Sequence, residues 1–222
     1  AIGFLALTAN TTGTQNTAVG ANALDSNTTG TNNVAIGKSA LSLDTTGARS
    51  VAVGVGALEN QNFTSGTTSG NTAIGFVALQ ETTTGQNNTG VGYGALESNT
   101  TGDYNVAVGS LAGDANTTGQ YNTVVGGNAF TSNTTGTGNT TVGTSALRDN
   151  TTANYNIAMG IDTMQRNTTG SNNTALGSYA LYANSTASHN TAVGFEALHD
   201  NTTGSFNTAL GRLAGASNTT AS

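Results

Sequence analysis

The chain has 222 residues and a net charge of −6, with only 7% charged and 5% aromatic residues and no Pro, Cys or Trp. This composition excludes a disulfide framework or a thiolate metal site, and the absence of a basic patch argues against recognition of nucleic acid. No apolar run approaches the ~18 residues that span a bilayer, so no membrane insertion is expected in this segment.

The predicted elements follow a repeat of 17 residues, with the consensus N-T-A-V-G-x-x-A-L-x-x-N-T-T-G-x-x, whose positions we number 1 to 17. The glycine at position 5 occurs in thirteen copies, and a four-residue insertion in the coil around 59–70 stretches one spacing to 21. We therefore expect residues 1–222 to form a single repeat array, a piece of a longer fibre. The glycines at position 5 that we assign to a bend or a close backbone approach include Gly20, Gly37, Gly54, Gly75, Gly92 and Gly109.

The first apolar segment of each copy is predicted to be a short strand. Position 2 is β-branched, position 4 is a larger apolar residue, and position 3 between them is small and mostly Ala. This alternation is typical of a strand. We expect position 4 to face the interior and the alanines to form an outward stripe that packs against another chain. The inward set of this strand is predicted to include Val19, Val53, Val91, Val125 and Val193.

The second apolar segment carries a leucine at position 9 in most copies. Leu111 and Leu213 stand two places earlier than that leucine, at position 7. On a strand, residues two apart share a face, whereas on a helix the same move turns the side chain by about 200°. The exchange therefore favours a second strand, with the leucine still facing the interior. Its core residues are predicted to be Leu24, Leu58, Leu96, Leu111 and Leu198.

Two strands and two turns in 17 residues predict one coil of a parallel β-solenoid, or β-roll, with about thirteen coils. The "NTTG" phrase is expected to supply a corner, in which Asn and Gly accept left-handed backbone. Like side chains should stack in ladders, including Asn ladders. Because such a coil encloses a thin core, we expect rolls packed side by side as a homotrimer, with a monomeric solenoid as the alternative.

The phrases "NTAVG", "NVAIG" and "SVAVG" resemble the head repeats of trimeric autotransporter adhesins, which are trimers of left-handed parallel β-rolls. The longer phrase "NTALGSYALYANSTASHNTAVG" is similar to repeat arrays of phage tail fibres that precede an intramolecular chaperone domain. The resemblance covers the whole chain, although the period of 17 is longer than that of the adhesin coil. It implies a shaft or spacer with an adhesive role, on a cell surface or a virion, and no catalytic residues.

Catalysis, metal binding and cofactor binding are not predicted. The two histidines, His189 and His199, occupy variable turn positions and have no evident partner in neighbouring copies. Acidic residues at position 10 alternate with Arg148 and His199, which is typical of a solvated bend. The glycine-rich stretches lack the lysine and the βαβ unit of a phosphate loop. We therefore expect no enzyme, no metal site and no cofactor.

Two surface roles remain open. The first is a host-glycan or surface-binding module that uses aromatic residues at position 17, namely Tyr104, Tyr121, Tyr155 and Phe206. The second is N-glycosylation, because Asn-Thr-Thr is a sequon, with candidates Asn10, Asn27, Asn99 and Asn116. An ice-binding solenoid is a further alternative that the exchange of Thr for Val at position 2 disfavours. The expected function is a rigid, non-enzymatic shaft of an extracellular or virion fibre that associates with itself, by trimerisation or end to end.

Overall fold

The computed structural model describes residues 1–221 and is built entirely of β-strands and turns, with no helix in that range. It divides into two compact units, Ala1–Ser110 and the chain from Leu111 onward. Each unit holds six strands of three residues, one from each coil. The strands of the first unit are β1 Thr17–Val19, β2 Val34–Ile36, β3 Val51–Val53, β4 Thr72–Ile74, β5 Thr89–Val91 and β6 Val106–Val108. Those of the second unit are β7 Thr123–Val125, β8 Thr140–Val142, β9 Ile157–Met159, β10 Thr174–Leu176, β11 Thr191–Val193 and β12 Thr208–Leu210.

Within each unit, every strand pairs in parallel with the strand of the next coil. In the first unit Ala18 stands opposite Ala35, and the same register continues through β6. In the second unit Ala158 stands opposite Ala175, and the register is kept from β7 to β12. The insertion changes the spacing but not the register, since Ala52 still pairs with Ala73. The predicted parallel β-solenoid with a 17-residue coil is confirmed.

The orientation of the strand is the reverse of the prediction. The residue at position 3 is the buried one: Ala35, Ala52 and Ala158 have no exposed surface. The residues at position 4 point outward, so Val19, Val53, Val91 and Val193 are only half-buried, and Val125 is exposed. Small side chains fill this inward position in most coils, and Val124 of β7 and Thr141 of β8 are also buried there. The assignment of these five valines to the core, with an outward Ala stripe, was therefore wrong.

The second apolar segment stacks from coil to coil, but its backbone differs from that of an extended strand. The amide of Leu24 donates to the carbonyl of Ala40, and that of Ser26 to the carbonyl of Ser42, each at 3.1 Å. Positions 7 and 9 are left-handed, with φ of 58° at Asn22 and 52° at Leu24. A left-handed non-glycine residue costs about 1–2 kcal/mol, so the stacking must offset this strain in every coil.

The core of the second segment agrees with the prediction at four of its five residues. Leu24, Leu58, Leu96 and Leu198 are buried beneath the alanines of position 8. Leu111 is only half-buried, because position 7 lies nearer the surface, and the buried position 9 is taken by Gly113. The exchange therefore does not keep the leucine in the same interior place. It puts a glycine, with φ of 62°, at a left-handed position that other coils fill with leucine.

The bend glycines have the conformation that their prediction requires. All six have φ between 135° and 146°, a region that is essentially restricted to glycine. A Cβ at Gly37 would lie 2.6 Å from the carbonyl carbon of Gly54 in the next coil. At the "NTTG" corner, in contrast, neither Asn27 nor Gly30 has positive φ, and the left-handed residue is at position 17, as at Asn32. The left-handed assignment of that corner was wrong.

Candidate assembly surface and buried ladders

The outward side of the strands forms an uncharged face in each unit, which we call the aliphatic face. Position 2 supplies Thr, Val or Ile and position 4 supplies Val, Ile, Met or Leu, with no charged residue in any coil. On β9, for example, Ile157 is 40% exposed and Met159 is 43% exposed, while Ala158 between them is buried. Parallel sheets are ordinarily covered on both faces, so this face has the composition of a contact surface.

The asparagines at position 1 form a ladder that runs inside the coils, as predicted. The Oδ1 of Asn33 accepts the amide of Ser50 at 2.9 Å, one coil further on. Its Nδ2 donates to the carbonyl of Gly47 at 2.8 Å. The same pair of contacts recurs at Asn139 and Asn156, both buried. Each rung provides hydrogen-bond partners for polar atoms in the interior. Leaving one of these atoms unpaired would cost about 1–3 kcal/mol.

A second ladder of asparagines runs along position 12. The Nδ2 of Asn150 donates to the Oδ1 of Asn133, 17 residues earlier, at 2.9 Å, and to the carbonyl of Ala153 at 3.3 Å. The Oδ1 of Asn133 also accepts the amide of Gly136 at 3.0 Å. This ladder closes each "NTTG" corner on the inside of the coil.

The second ladder leaves no room for the glycans that the sequons suggest. Asn27, Asn99 and Asn116 are buried, and Asn10, in the first coil, is half-buried. The Nδ2 of Asn27 donates to the Oδ1 of Asn10 at 2.9 Å, so its amide hydrogens point along the ladder. An N-linked sugar replaces one of these hydrogens with a bulky group, which is incompatible with this packing. Glycosylation of these four residues does not fit the folded coil.

The aromatic residues at position 17 lie on the surface, as predicted, at the corner that precedes each strand. Tyr104, Tyr121, Tyr155 and Phe206 are all more than half exposed, and each has a left-handed φ of 56° to 61°. The ring of Phe206 stacks on His189 of the preceding coil, with centroids 5.0 Å apart and an interplanar angle of 2°. Part of each stacked ring is thereby shielded, and the rest faces solvent.

A further group of rings lies on the second unit, and the sequence did not single it out. The ring of Tyr182 stacks on His199 at 5.1 Å, and the guanidinium of Arg166 lies 4.9 Å from the Tyr182 centroid. His199 also bonds Asp200 through Nδ1 at 2.6 Å. Both histidines therefore have a ring partner in an adjacent coil, contrary to the prediction. The 17-residue spacing of Tyr182 and His199 was the signal that would have revealed this stack.

Among residues 1–221, the one buried ionisable side chain belongs to the coil before the insertion. Asp44 replaces the asparagine of position 12 and has no exposed surface. Burial, opposed by hydrogen bonds from the Phe63 amide and the Gln61 side chain, raises the pKa of its carboxyl above the ordinary value. Gln61 Nε2 donates to Asp44 Oδ2 at 2.7 Å, and Asn71 Nδ2 donates to Gln61 Oε1 at 2.8 Å.

Over residues 1–221 the structure has no enclosed pocket and no group of three metal-ligating side chains. None of its elements in that range is a helix with the length and hydropathy needed to cross a bilayer. Comparisons with protein-family models, with curated proteins and with solved structures find no match to this chain.

Proposed function

We propose that the chain is a rigid, non-enzymatic segment of an extracellular or virion surface fibre, and that it associates with other copies of itself as a homotrimer. The observation that carries the proposal is the aliphatic face, which is uncharged in every coil while charged residues are found elsewhere on the repeat. A shaft of this kind serves as a spacer, comparable to the tail-fibre and adhesin repeats that the sequence resembles. No cofactor has a part in this proposal.

A second copy of the chain matches this face better than an unrelated partner does. Both copies would present stripes of aliphatic side chains with the same spacing, about 4.8 Å from strand to strand. Side chains of one copy would then pack between the ridges of the other along the strands of each unit. The contact also removes Ile157, Met159 and their equivalents from water, each contributing about 25 cal/mol per Å² buried.

The interior supports a passive role. Its side chains are mostly Ala, Leu and Asn, and the asparagines form hydrogen bonds to one another and to backbone carbonyls. Such an arrangement stabilises stacking. Rigidity within each unit follows because neighbouring coils are hydrogen-bonded through the strands and, in most coils, through two asparagine ladders.

The test is the mass of the protein in solution, measured by sedimentation equilibrium. We expect three times the chain mass of 21.9 kDa for the unaltered protein. The double variant Ile157→Lys and Met159→Lys places two charges on the aliphatic face and should lower the mass while the β-sheet circular dichroism is kept. The matched control Thr152→Lys, at an exposed corner, should leave the mass unchanged. A monomeric unaltered protein would overturn the self-association proposal.

A second candidate function is adhesion to a host glycan through the aromatic residues at position 17. It is supported by Tyr155 and Phe206, exposed to 64% and 74%, which recur on the same edge of the second unit. Flat exposed rings suit stacking on the apolar faces of sugar rings. Binding on a glycan array that is lost in Tyr155→Ala and Phe206→Ala would support adhesion, and an array without signal would leave the plain shaft. A thermal-hysteresis assay separates both from an ice-binding solenoid.

A further inference from the structure

Position 12 departs from asparagine in three consecutive coils, which carry Asp44, Gln61 and Thr82, and the first of these is a carboxylic acid. In an ordinary rung, one Oδ1 accepts hydrogen bonds while the Nδ2 of the same amide donates to the coil before. Asn133 illustrates the accepting half, because its Oδ1 takes the amide of Gly136 and the Nδ2 of Asn150. Asp44 occupies the same place in its own coil, next to Asn27, and has two oxygens where an asparagine has an oxygen and an amide.

The accepting half of the Asp44 rung is complete. Its Oδ1 accepts the amides of Gly47 at 3.0 Å and Phe63 at 3.1 Å, as an asparagine Oδ1 accepts the corner amide elsewhere. Its Oδ2 accepts the Nε2 of Gln61, the position-12 residue of the next coil, at 2.7 Å, as the Oδ1 of Asn133 accepts the Nδ2 of Asn150. Both oxygens of Asp44 thus act as acceptors.

The donating half of the rung is missing. The Oδ1 of Asn27 is buried and has no hydrogen-bond partner. Where successive coils of the second unit carry asparagine at position 12, the corresponding oxygen receives the Nδ2 of the asparagine that follows 17 residues later, as Asn133 receives it from Asn150. An ionised carboxylate at residue 44 has no hydrogen to offer, so an acceptor is left unpaired on the inside of the coil.

We propose that the Asp44 carboxyl is protonated in the folded chain and donates a hydrogen bond to Asn27 Oδ1. Acidic conditions then complete the hydrogen bonding inside the coil before the insertion. The protonated carboxyl then reproduces both halves of an asparagine rung: one oxygen accepts, and the other donates. Its neighbour Gln61 keeps its hydrogen bond, because a protonated oxygen retains a lone pair. This inference concerns the stability of one coil and goes beyond the fibre role proposed above.

No nearby charge competes with this protonation. The ionisable residues of the same coil and the adjoining coils are Asp25, Lys38, Arg49 and Glu59, and none of them has a hydrogen bond or ion pair with Asp44. Burial is the largest influence on the Asp44 carboxyl, and it raises the pKa because the charged form loses its water.

The direction of the pH effect follows from this shift. In the unfolded chain the carboxyl has its ordinary pKa of 3.8, and in the folded chain the value is higher. Below the unfolded value both states hold the proton, and the rung is complete. As the pH rises through the window between the two values, the unfolded state releases its proton first, so the free energy of unfolding falls. Above the folded value the loss is constant.

The experiment compares the unaltered chain with Asp44→Asn in reversible denaturant unfolding between pH 3 and pH 8. The asparagine supplies the missing amide at every pH. The unaltered chain should therefore lose stability relative to Asp44→Asn, by about tenfold in the unfolding equilibrium constant per pH unit inside the window. The exposed Glu81→Gln serves as the control and should leave the pH profile unchanged.

Two results decide the matter. The carboxyl carbon of Asp44, followed by nuclear magnetic resonance in the unaltered chain, should titrate above 3.8. Titration at or below that value overturns the proposal, even if Asp44→Asn fails to fold. A stability difference between the two chains that is the same at every pH also overturns it, because it would show that the Asp44 carboxyl has the same pKa in the folded and unfolded chains.

Discussion

Asn150 donates its Nδ2 to the Oδ1 of Asn133 at 2.9 Å, and Asn167 in turn donates to the Oδ1 of Asn150 at 3.2 Å. Each amide thus serves as both donor and acceptor between successive coils. The corner that the sequence marks with "NTTG" is consequently held from the inside by a continuous chain of hydrogen bonds.

Removing one rung should destabilise the second unit. We expect Asn150→Ala to lower the free energy of unfolding by about 2–3 kcal/mol, because it removes the buried hydrogen bonds of Asn150 to Asn133 Oδ1, to the Ala153 carbonyl and from Asn167 Nδ2. The measurement is denaturant unfolding followed by circular dichroism. Thr152→Ala, at the exposed side of the same corner, should cost under ~0.5 kcal/mol. Equal effects of the two changes would contradict the ladder.

The inward position of the alanines gives a second prediction. Ala158→Leu forces extra methylene groups into a filled interior and should cost about 3 kcal/mol or more. Met159→Leu, one residue further along β9, changes a partly exposed side chain and should cost under ~1 kcal/mol. Thermal unfolding of both variants is the measurement. The opposite order of stabilities would show that position 4 faces the interior.

The close approach of coils at the bend gives a third prediction. Gly37→Ala should cost more than ~3 kcal/mol, since its φ of 137° suits only glycine and its Cβ would meet the carbonyl group of Gly54. The matched change Gly66→Ala lies in the insertion, where no atom is within 4 Å of the new Cβ. Its φ of 32° makes a cost of about 1 kcal/mol reasonable. Thermal melts of both variants test the difference, and a Gly37→Ala protein as stable as the unaltered one would contradict the bend.

The fold class could be read from the sequence because the repeat is almost exact. The period, the parallel stacking, the bend glycines and the leucine at position 9 all follow from residues that recur every 17 places. Stacked asparagines were also foreseeable, since a solenoid places Asn133 above its counterpart Asn150. Periodicity establishes which residues share a face, and these features depend on nothing more.

Which face is buried could not be read from the same pattern. The stripes of Ala18 and Val19 are both apolar and both free of charge, so the usual contrast between a polar and an apolar face is absent. Residue size alone does not mark the inward stripe either, because Val124 is buried at position 3 of β7. The left-handed backbone at Leu24 was equally hidden, because leucine rarely adopts it outside a stacked environment that compensates for the strain.

The surface features were only partly foreseeable. The exposure of Tyr155 and Phe206 followed from their place at the corner, whereas the stacks of Tyr182 on His199 and of His189 on Phe206 needed the coil-to-coil register. The sequence did not single out Asp44. Its burial follows from its place at position 12, where its Oδ1 accepts the amides of Gly47 and Phe63.

The central claim is that 17 residues make one coil that lies directly on the next. Because the chain has no cysteine, a pair of introduced cysteines can carry two spin labels without background. Thr135→Cys with Thr152→Cys places the labels at exposed corners of adjacent coils, and Thr135→Cys with Thr169→Cys separates them by two coils. The backbones at the two pairs of sites are expected to be about 5 Å and about 10 Å apart. Electron paramagnetic resonance should therefore show strong dipolar broadening between the labels of the first pair. Labels in the first pair that lie more than ~20 Å apart would contradict the stacked coil.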